Sequence, residues 1–302
     1  MHTRLSPSTA LLLTVPPLMW AGNAVVGRMV GELVPPMMLN LLRWALAGLL
    51  LLPLASWVLR RNSGLWHHWR RFSMLGLLSV GAYNALQYLA LHTSSPINVT
   101  LVAASMPVWM LLVGRLFFAA PVSRRQLIGA LLSISGVLLV LSRGHLETLL
   151  QVQLVAGDIY ILIAAICWAF YSWMLARPGG EPEAIRSDWA AFLLAQIVFG
   201  LAWSALFAGG EWALTNARIV WGWPLVLSLL FVAVGPAVLA YRAWGIGVQR
   251  AGPTIASFFG NLTPLLTALM SSALLGDLPQ LYHGAAFVLI VCGIVVSSRR
   301  SG

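Results

Sequence analysis

The run PINVTLVAASMP, residues 96–107, returns in altered form as PTIASFFGNLTP, residues 253–264. Pro96, Pro107 and Gly136 are answered by Pro253, Pro264 and Gly293, each 157 residues further on. The chain therefore contains one pattern twice. Around each copy the sequence supplies five long apolar stretches, and an odd number makes the second copy enter a membrane in the opposite sense to the first. Of 302 residues, 60% are hydrophobic and 9% charged, with a mean hydropathy of +0.86. Soluble domains carry about 25% charged residues, so the solvent for which this chain is built is lipid.

A helix needs about 20 apolar residues to cross the hydrocarbon. Ten such stretches are expected, near 8–28, 35–59, 72–91, 97–118, 124–142, 157–176, 188–208, 221–243, 252–275 and 280–297. Short connections rich in Gly, Pro and Ser make neighbours antiparallel hairpins. The predicted fold is thus an all-α integral membrane protein, with ten transmembrane helices arranged as two inverted five-helix repeats, residues 1–148 and 149–302, around a central cavity. The net charge of +10 is not a nucleic-acid signal here, because the basic residues sit in short loops. With the N-terminus inside, Arg28, Arg143 and Arg218 alone fall outside, Arg43 lies within a span, and the other 14 of the 18 arginines are inside. That bias places both termini in the cytoplasm. The N-terminal apolar run has a counterpart in the second half and is read as an uncleaved helix.

Composition also excludes chemistry. The chain contains no lysine, which removes a P-loop lysine and every lysine-bound cofactor. Cys167 and Cys292 both fall inside apolar spans, so no disulfide framework is expected. The acidic residues are assigned to loops or span ends, with Asp158 near the outer end of span six. A carrier of lipophilic cations generally uses a carboxylate within the membrane, so neutral or zwitterionic substrates fit better. A membrane-embedded enzyme would need a nucleophile, base or metal set in the bilayer, and the spacing of Asp, His, Glu and Ser offers none. No cofactor, no metal and no catalytic residue is expected. Gly27 and Gly31 have a GxxxG spacing, read as chance, and a monomer of ten spans is the expected unit.

The apolar helix broken at Met106-Pro107, the following helix with Gly129 and Gly136, and their echo through Thr263-Pro264 and Gly293 resemble the EamA-type branch of the drug/metabolite transporter superfamily. Leu42-Arg43-Trp44 in span two, Leu275-Gly276-Asp277 closing span nine, and the pairs Trp20-Ala21 and Trp168-Ala169 add to the resemblance, which covers nearly the whole chain. Two positions depart from strict repetition: Gly276-Asp277 is answered by Ala119-Ala120, and Gly129 by Ala286. The aromatic-rich first, third, sixth and eighth spans are most similar to YddG-type aromatic amino acid exporters. The resemblance implies a bacterial inner-membrane, multi-pass secondary carrier that exports small amphipathic metabolites, aromatic amino acids among them, by alternating access. The alternative on the same fold is a carrier of nucleotide-sugar, lipid-phosphate or drug-like substrates.

Within the spans, Trp20 and Asn23 share a helical face, as do Trp168 and Tyr171. Tyr83, Asn84, Gln87 and Tyr88 form a polar aromatic stripe on span three, and spans eight and nine contribute Tyr241, Trp244, Ser257, Phe258 and Asn261. Buried amides demand partners in lipid, and aromatic rings present flat faces to a flat apolar substrate. Trp20, Asn23, Tyr83, Gln87, Tyr88, Trp168, Tyr171, Trp244, Ser257, Phe258 and Asn261 are therefore the candidate substrate-binding residues. Pro107 and Pro264 occupy one repeat position near mid-span and are candidate hinges, since proline removes a backbone donor. Arg43, about 12 Å into span two, is assigned a structural role pinning helix carbonyls. His67, His68, Arg70 and Arg71 are read as a lipid-facing basic patch, and Trp66, Trp69, Trp212, Trp221 and Trp223 as interfacial belt residues. An enzymatic reporter fused after Gly302 is expected to be active in its cytoplasmic form, and activity confined to the outside would reverse the topology.

Overall fold

In lipid a backbone polar group finds no water, so a spanning chain folds into helices that satisfy their own N–H and C=O groups. The computed structural model describes residues 5–94, 96–153, 155–215, 218–275 and 280–298, and within them the regular structure is helical. The first half runs α1 (Pro7–Met29), α2 (Pro36–Ala55), α3 (Trp69–Gly76), a π-helical segment Leu77–Tyr83, α4 (Asn84–Thr93), α5 (Pro96–Ala104), α6 (Met106–Phe117) and α7 (Arg124–Leu141). A 3-10 turn, Leu146–Gln151, leads to α8 (Ala156–Ala176), α9 (Glu183–Ser187), α10 (Trp189–Leu214) and α11 (Trp223–Val232). A second π-helical segment, Ala233–Leu239, is followed by α12 (Ala240–Ala251), α13 (Pro253–Gly260), α14 (Leu262–Leu275) and α15 (Leu281–Ser298).

Among the described residues seven stretches are long and apolar enough to cross a bilayer: Pro7–Gly27, Pro36–Leu59, Arg124–Leu141, Ala156–Ala176, Trp189–Leu214, Trp223–Ala251 and Leu281–Ser298. The expected third, fourth and ninth spans are helical but differ in kind. The third is a chain of α3, π segment and α4 diluted by Tyr83, Asn84 and Gln87. The fourth and ninth break at Ser105 and Asn261, two or three residues before the prolines rather than at them. Pro107 has no N–H to continue the ladder and its ring clashes with the preceding turn, so α5 ends at Ala104 and α6 restarts with the proline in its first turn, where a missing N–H costs nothing. The Gly276-Asp277 pair lies outside the described residues.

Side chains are sorted inside out relative to a soluble protein. Leu11, Leu116, Phe117 and Leu131 are exposed, whereas Asn40, Ser79, Ser133, Ser172, Ser204 and Asn261 are buried. The five tryptophans expected at the interface, Trp66, Trp69, Trp212, Trp221 and Trp223, are all exposed. α7 packs along α15, α2 along α10, α4 against α8 and α1 against α12. The α7–α15 seam is close: a Cβ on Gly129 would stand 2.7 Å from the Gly293 carbonyl oxygen, and one on Gly136 2.9 Å from that of Ala286. Gly129 thus faces Gly293 and Gly136 faces Ala286, which explains why Gly129 needs no glycine as its repeat equivalent. The repeat step turns one contact into the other.

Helix ends are closed by side chains. Ser123 and Gln126 form a capping box on α7, with Gln126 N to Ser123 Oγ at 3.2 Å and Ser123 N to Gln126 Oε1 at 2.9 Å. Asp188 caps α10 by accepting from Ala190 and Ala191. The first turn of α2 is capped by a distant residue: Glu211 of α10 accepts from the N–H groups of Met37 at 3.2 Å and Met38 at 3.1 Å, placing a negative charge at a helix N-terminus. Gly252 turns α12 into α13 at φ 86°, a conformation open to glycine.

At the end of the molecule carrying the 60–71 and 177–188 connections, Arg71 departs from the lipid-facing role expected of it. Its Nη2 donates to the carbonyls of Met174 at 2.5 Å and Arg177 at 2.8 Å, and its Nε lies 3.4 Å from Glu181. Glu181 also accepts from Arg186 at 2.5 Å and from the Gly179 N–H at 2.6 Å. Burial alone would raise the Glu181 carboxyl, but these N–H groups and the two guanidinium charges outweigh it and hold it below the usual carboxylate range. A carboxylate depressed in the folded state stabilises the fold above its unfolded value and loses that contribution as pH falls through the folded one. The melting temperature of the purified protein is therefore expected to fall with acidification below about pH 4.3. Glu181→Gln should melt lower at neutral pH and show a shallower acid slope, and an unchanged slope would dissociate Glu181 from acid stability.

Candidate functional site

Packing of α8 against α4, and of α12 against α1 and α8, brings aromatic side chains from both halves to one place. Trp168 of α8 is the hub. Its ring lies 4.9 Å from Tyr83, 5.0 Å from Tyr171, 5.4 Å from Trp20, 5.4 Å from Trp244 and 5.5 Å from Tyr241, centroid to centroid. Trp20 also meets Trp244 at 5.5 Å, and Trp44 of α2 meets Tyr241 edge-on at 4.8 Å. Each such pair is worth about 0.5–1.5 kcal/mol beyond the area it buries. Trp20 and Trp168, matched between the first spans of the two halves, meet edge to face at 84°.

The π-helical segments help position these rings. Widening a helix from i→i+4 to i→i+5 bonding disturbs the backbone ladder and leaves carbonyls available to outside donors. In the first segment, Ser79 O accepts from the Tyr241 hydroxyl at 3.3 Å, while Val80 O accepts from Asn40 Nδ2 at 2.9 Å and from Ser204 Oγ at 3.3 Å. Three other helices are thereby tied to one widened turn. The second segment contains Pro236, which has no N–H to give. Trp244 is fixed through its indole N–H to Ser172 Oγ at 3.2 Å.

The sequence-predicted residues do not all converge. Trp20, Tyr83, Trp168, Tyr171 and Trp244 come together in the ring cluster. Asn261 forms a separate node at the break between α13 and α14, donating to Ala104 O at 3.3 Å and Ser133 Oγ at 3.0 Å, so that the interruption in one half is joined to the interruption in the other. Ser257 donates within its own helix to Thr254 O, and Phe258 is fully buried on α13 with no ring contact to the cluster among the described residues. Asn23 accepts from Arg43 at 3.4 Å. That contact, from α2 to a side chain of α1, is the hydrogen bond described for Arg43. Gln87 is half-buried on α4, and the side chain of Tyr88 lies outside the described residues. Ser79, Ser172 and the π segments were not picked out by sequence reasoning, and Trp44 entered it only through the Leu42-Arg43-Trp44 run. Pro236, inside an apolar span as Pro107 and Pro264 are, was the available signal.

The expected central cavity is closed in this structure. Trp168, Tyr171, Tyr241 and Trp244 are each 5% exposed or less, because the rings fill the space between the halves themselves. Open grooves lie at the periphery, one of about 420 Å³ bounded by Met38, Leu41, Trp212 and Ile219, another of about 390 Å³ bounded by Leu265, Leu269, His283 and Phe287. Asp158, considered above as a group near the outer edge, accepts from the Val155 N–H at 2.8 Å and from Ser94 Oγ, and so closes the start of α8 onto the end of α4. Among the described residues no group of three or more His, Cys, Asp or Glu is placed to hold a metal ion.

Comparison with known proteins places this geometry. The profile of the EamA-like transporter family matches residues 7–142 and again 155–299. The uncharacterized inner membrane transporter YedA of Escherichia coli strain K12 is 25% identical over 92% of this chain and 87% of its own. The aromatic amino acid exporter YddG of Ancylobacter novellus is 23% identical over 93% of each chain. A solved crystal structure with 22% identity covers 96% of both chains with a TM-score of 0.73, which shows a shared fold.

Because Trp168 touches five other rings, Trp168→Ala is expected to destabilise the protein by about 3–5 kcal/mol, with Trp168→Phe losing clearly less. Thermal unfolding in detergent reads both, and equal melting of Trp168→Ala and wild type would remove the hub from the account.

Proposed function

The chain belongs to the EamA-like transporter family, and from this we infer that it is a secondary carrier of the bacterial inner membrane, exporting small neutral or zwitterionic amphipathic metabolites, aromatic amino acids first among them. Transport proceeds by alternating access of two inverted five-helix halves, residues 1–148 and 149–302, with both termini in the cytoplasm and the monomer as the working unit. The observation that carries the reading is the ring cluster around Trp168, drawn from α1, α2, α8, α12 and the first π segment and so from both halves. A flat apolar solute exchanges ring–ring contacts for ring–solute contacts of the same kind, at little net cost to the protein.

Support for the inverted halves comes from packing. The α4–α8 contact has its counterpart in α12–α1, α2 and α10 pair with each other, α7 and α15 pair with each other, and the π segments begin at corresponding places, Leu77 and Ala233. The breaks at Ser105 and Asn261, each just before its proline, are the proposed pivots. A helix already interrupted there can bend without losing further backbone hydrogen bonds. The name of YddG as an aromatic amino acid exporter points the same way. The described buried carboxylates Asp158 and Glu181 are engaged at helix ends, which favours gradient-driven facilitation over obligatory proton exchange. Relatives named as transporters favour a non-enzymatic role.

Labelled tryptophan, phenylalanine and threonine offered to liposomes containing the purified protein separate the readings. Uptake of the aromatic pair with and without a proton gradient is the expected result. Uptake only with the gradient would establish proton coupling, and no uptake of the three would withdraw the amino-acid assignment. Pro107→Ala and Pro264→Ala are each expected to slow exchange while leaving substrate binding in place, and unchanged rates would make the breaks static bends.

A further inference from the structure

Arg43 is the charge that the ring cluster leaves unexplained. It stands on α2 at 2% exposure, and the described ion pairs, Arg71–Glu181, Arg186–Glu181 and His145–Glu147, do not include it. Its contacts are Asn23 Oδ1, 3.4 Å from Nη1, and the ring of Trp44, whose centroid lies 5.2 Å from Cζ. Among the described residues the Nε of Arg43 has no acceptor, and neither has the indole Nε1 of Trp44. A guanidinium presents five N–H donors and cannot shed its proton, so a buried arginine within a membrane protein calls for an anion or a set of carbonyls. Among the described residues no backbone carbonyl accepts a hydrogen bond from Arg43. The donor pair is also contiguous with the rings, since Trp44 lies 4.8 Å from Tyr241 and Tyr241 5.5 Å from Trp168.

We propose that Arg43, together with the Trp44 indole N–H, receives the carboxylate of the transported molecule while its flat apolar body enters the Trp168 ring cluster. The substrate class is then the aromatic monocarboxylates, aromatic amino acids included. A single guanidinium balances one negative charge and matches a planar carboxylate in fork geometry. A phosphate dianion would call on further cations, yet Arg71 and Arg186 are committed to Glu181, and Arg177 to the Phe118 carbonyl. The two unsatisfied donors are in this view the docking point of the loaded state, and Asn23 holds the guanidinium in place between loads. The inference rests on the carrier reading above and narrows its substrate.

The test is calorimetric titration of the detergent-purified full-length protein with 3-phenylpropionate and with its uncharged amide, in parallel with flux measurements in liposomes. Wild type should bind the carboxylate about 10-fold to 100-fold more tightly than the amide, the range for a hydrogen-bonded charge. Arg43→Gln should abolish that preference while still eluting as a single species, and Trp44→Phe should reduce it. If Arg43→Gln does not fold, Arg43→Lys, which keeps the charge but loses the fork, is expected to retain part of the preference. Equal binding of acid and amide by wild type, undiminished preference in Arg43→Gln or Arg43→Lys, equally strong competition by inorganic phosphate, or no binding of either compound would each overturn the inference. The expected binding pattern without flux would leave the carboxylate site standing and overturn the carrier reading instead.

Discussion

A carbonyl released from a helix inside a membrane has to be satisfied by another part of the protein, and the architecture here is organised around that obligation. The widened turn Leu77–Tyr83 presents Ser79 O and Val80 O, which are taken up by Tyr241, Asn40 and Ser204 from three other helices. The interruption after Ala104 presents its carbonyl to Asn261, which itself lies at the interruption of the other half. Irregular backbone thus becomes the means by which distant helices are bound together.

This arrangement divides the molecule into firm and yielding parts. The α7–α15 seam, with Gly129 on Gly293 and Gly136 on Ala286, lets two backbones approach to contact distance over two helical turns. Such a seam has little room for sliding. The inner helices are the ones that carry π segments and breaks, and their contacts are aromatic edges and single hydrogen bonds. Ring–ring contacts are individually modest and geometrically tolerant, so they can be exchanged for contacts to a solute without rebuilding the fold. The bundle thus combines a close-packed frame with a centre of exchangeable contacts.

The polar ends show a different logic. Arg71 ties the start of α3 to the carbonyl end of α8 and to Glu181, while Glu211 reaches from the end of α10 to the start of α2. Both use charge where water still screens part of its cost and where helix termini present unsatisfied groups. Arg43 has no such terminus beside it and pairs only with a neutral amide among the described residues. That contrast is what the role proposed for Arg43 rests on.

Much of the architecture was legible in the chain. Apolar runs of membrane length, the recurrence of Pro96, Pro107 and Gly136, and the aromatic residues at Trp20, Tyr83, Trp168, Tyr171 and Trp244 are local facts of spacing and type, and hydrocarbon thickness converts them directly into helices with mid-span rings. What the spacing could not contain was partnership across the halves. That Gly129 meets Gly293 while Phe258 stands apart from the rings, that Arg71 turns inward instead of toward lipid, and that the breaks fall before the prolines all depend on how helices far apart in sequence cross. A helical residue's position along the chain sets its height and face, but its partner is set by the neighbouring helix, and helix neighbours are chosen by packing over the whole bundle.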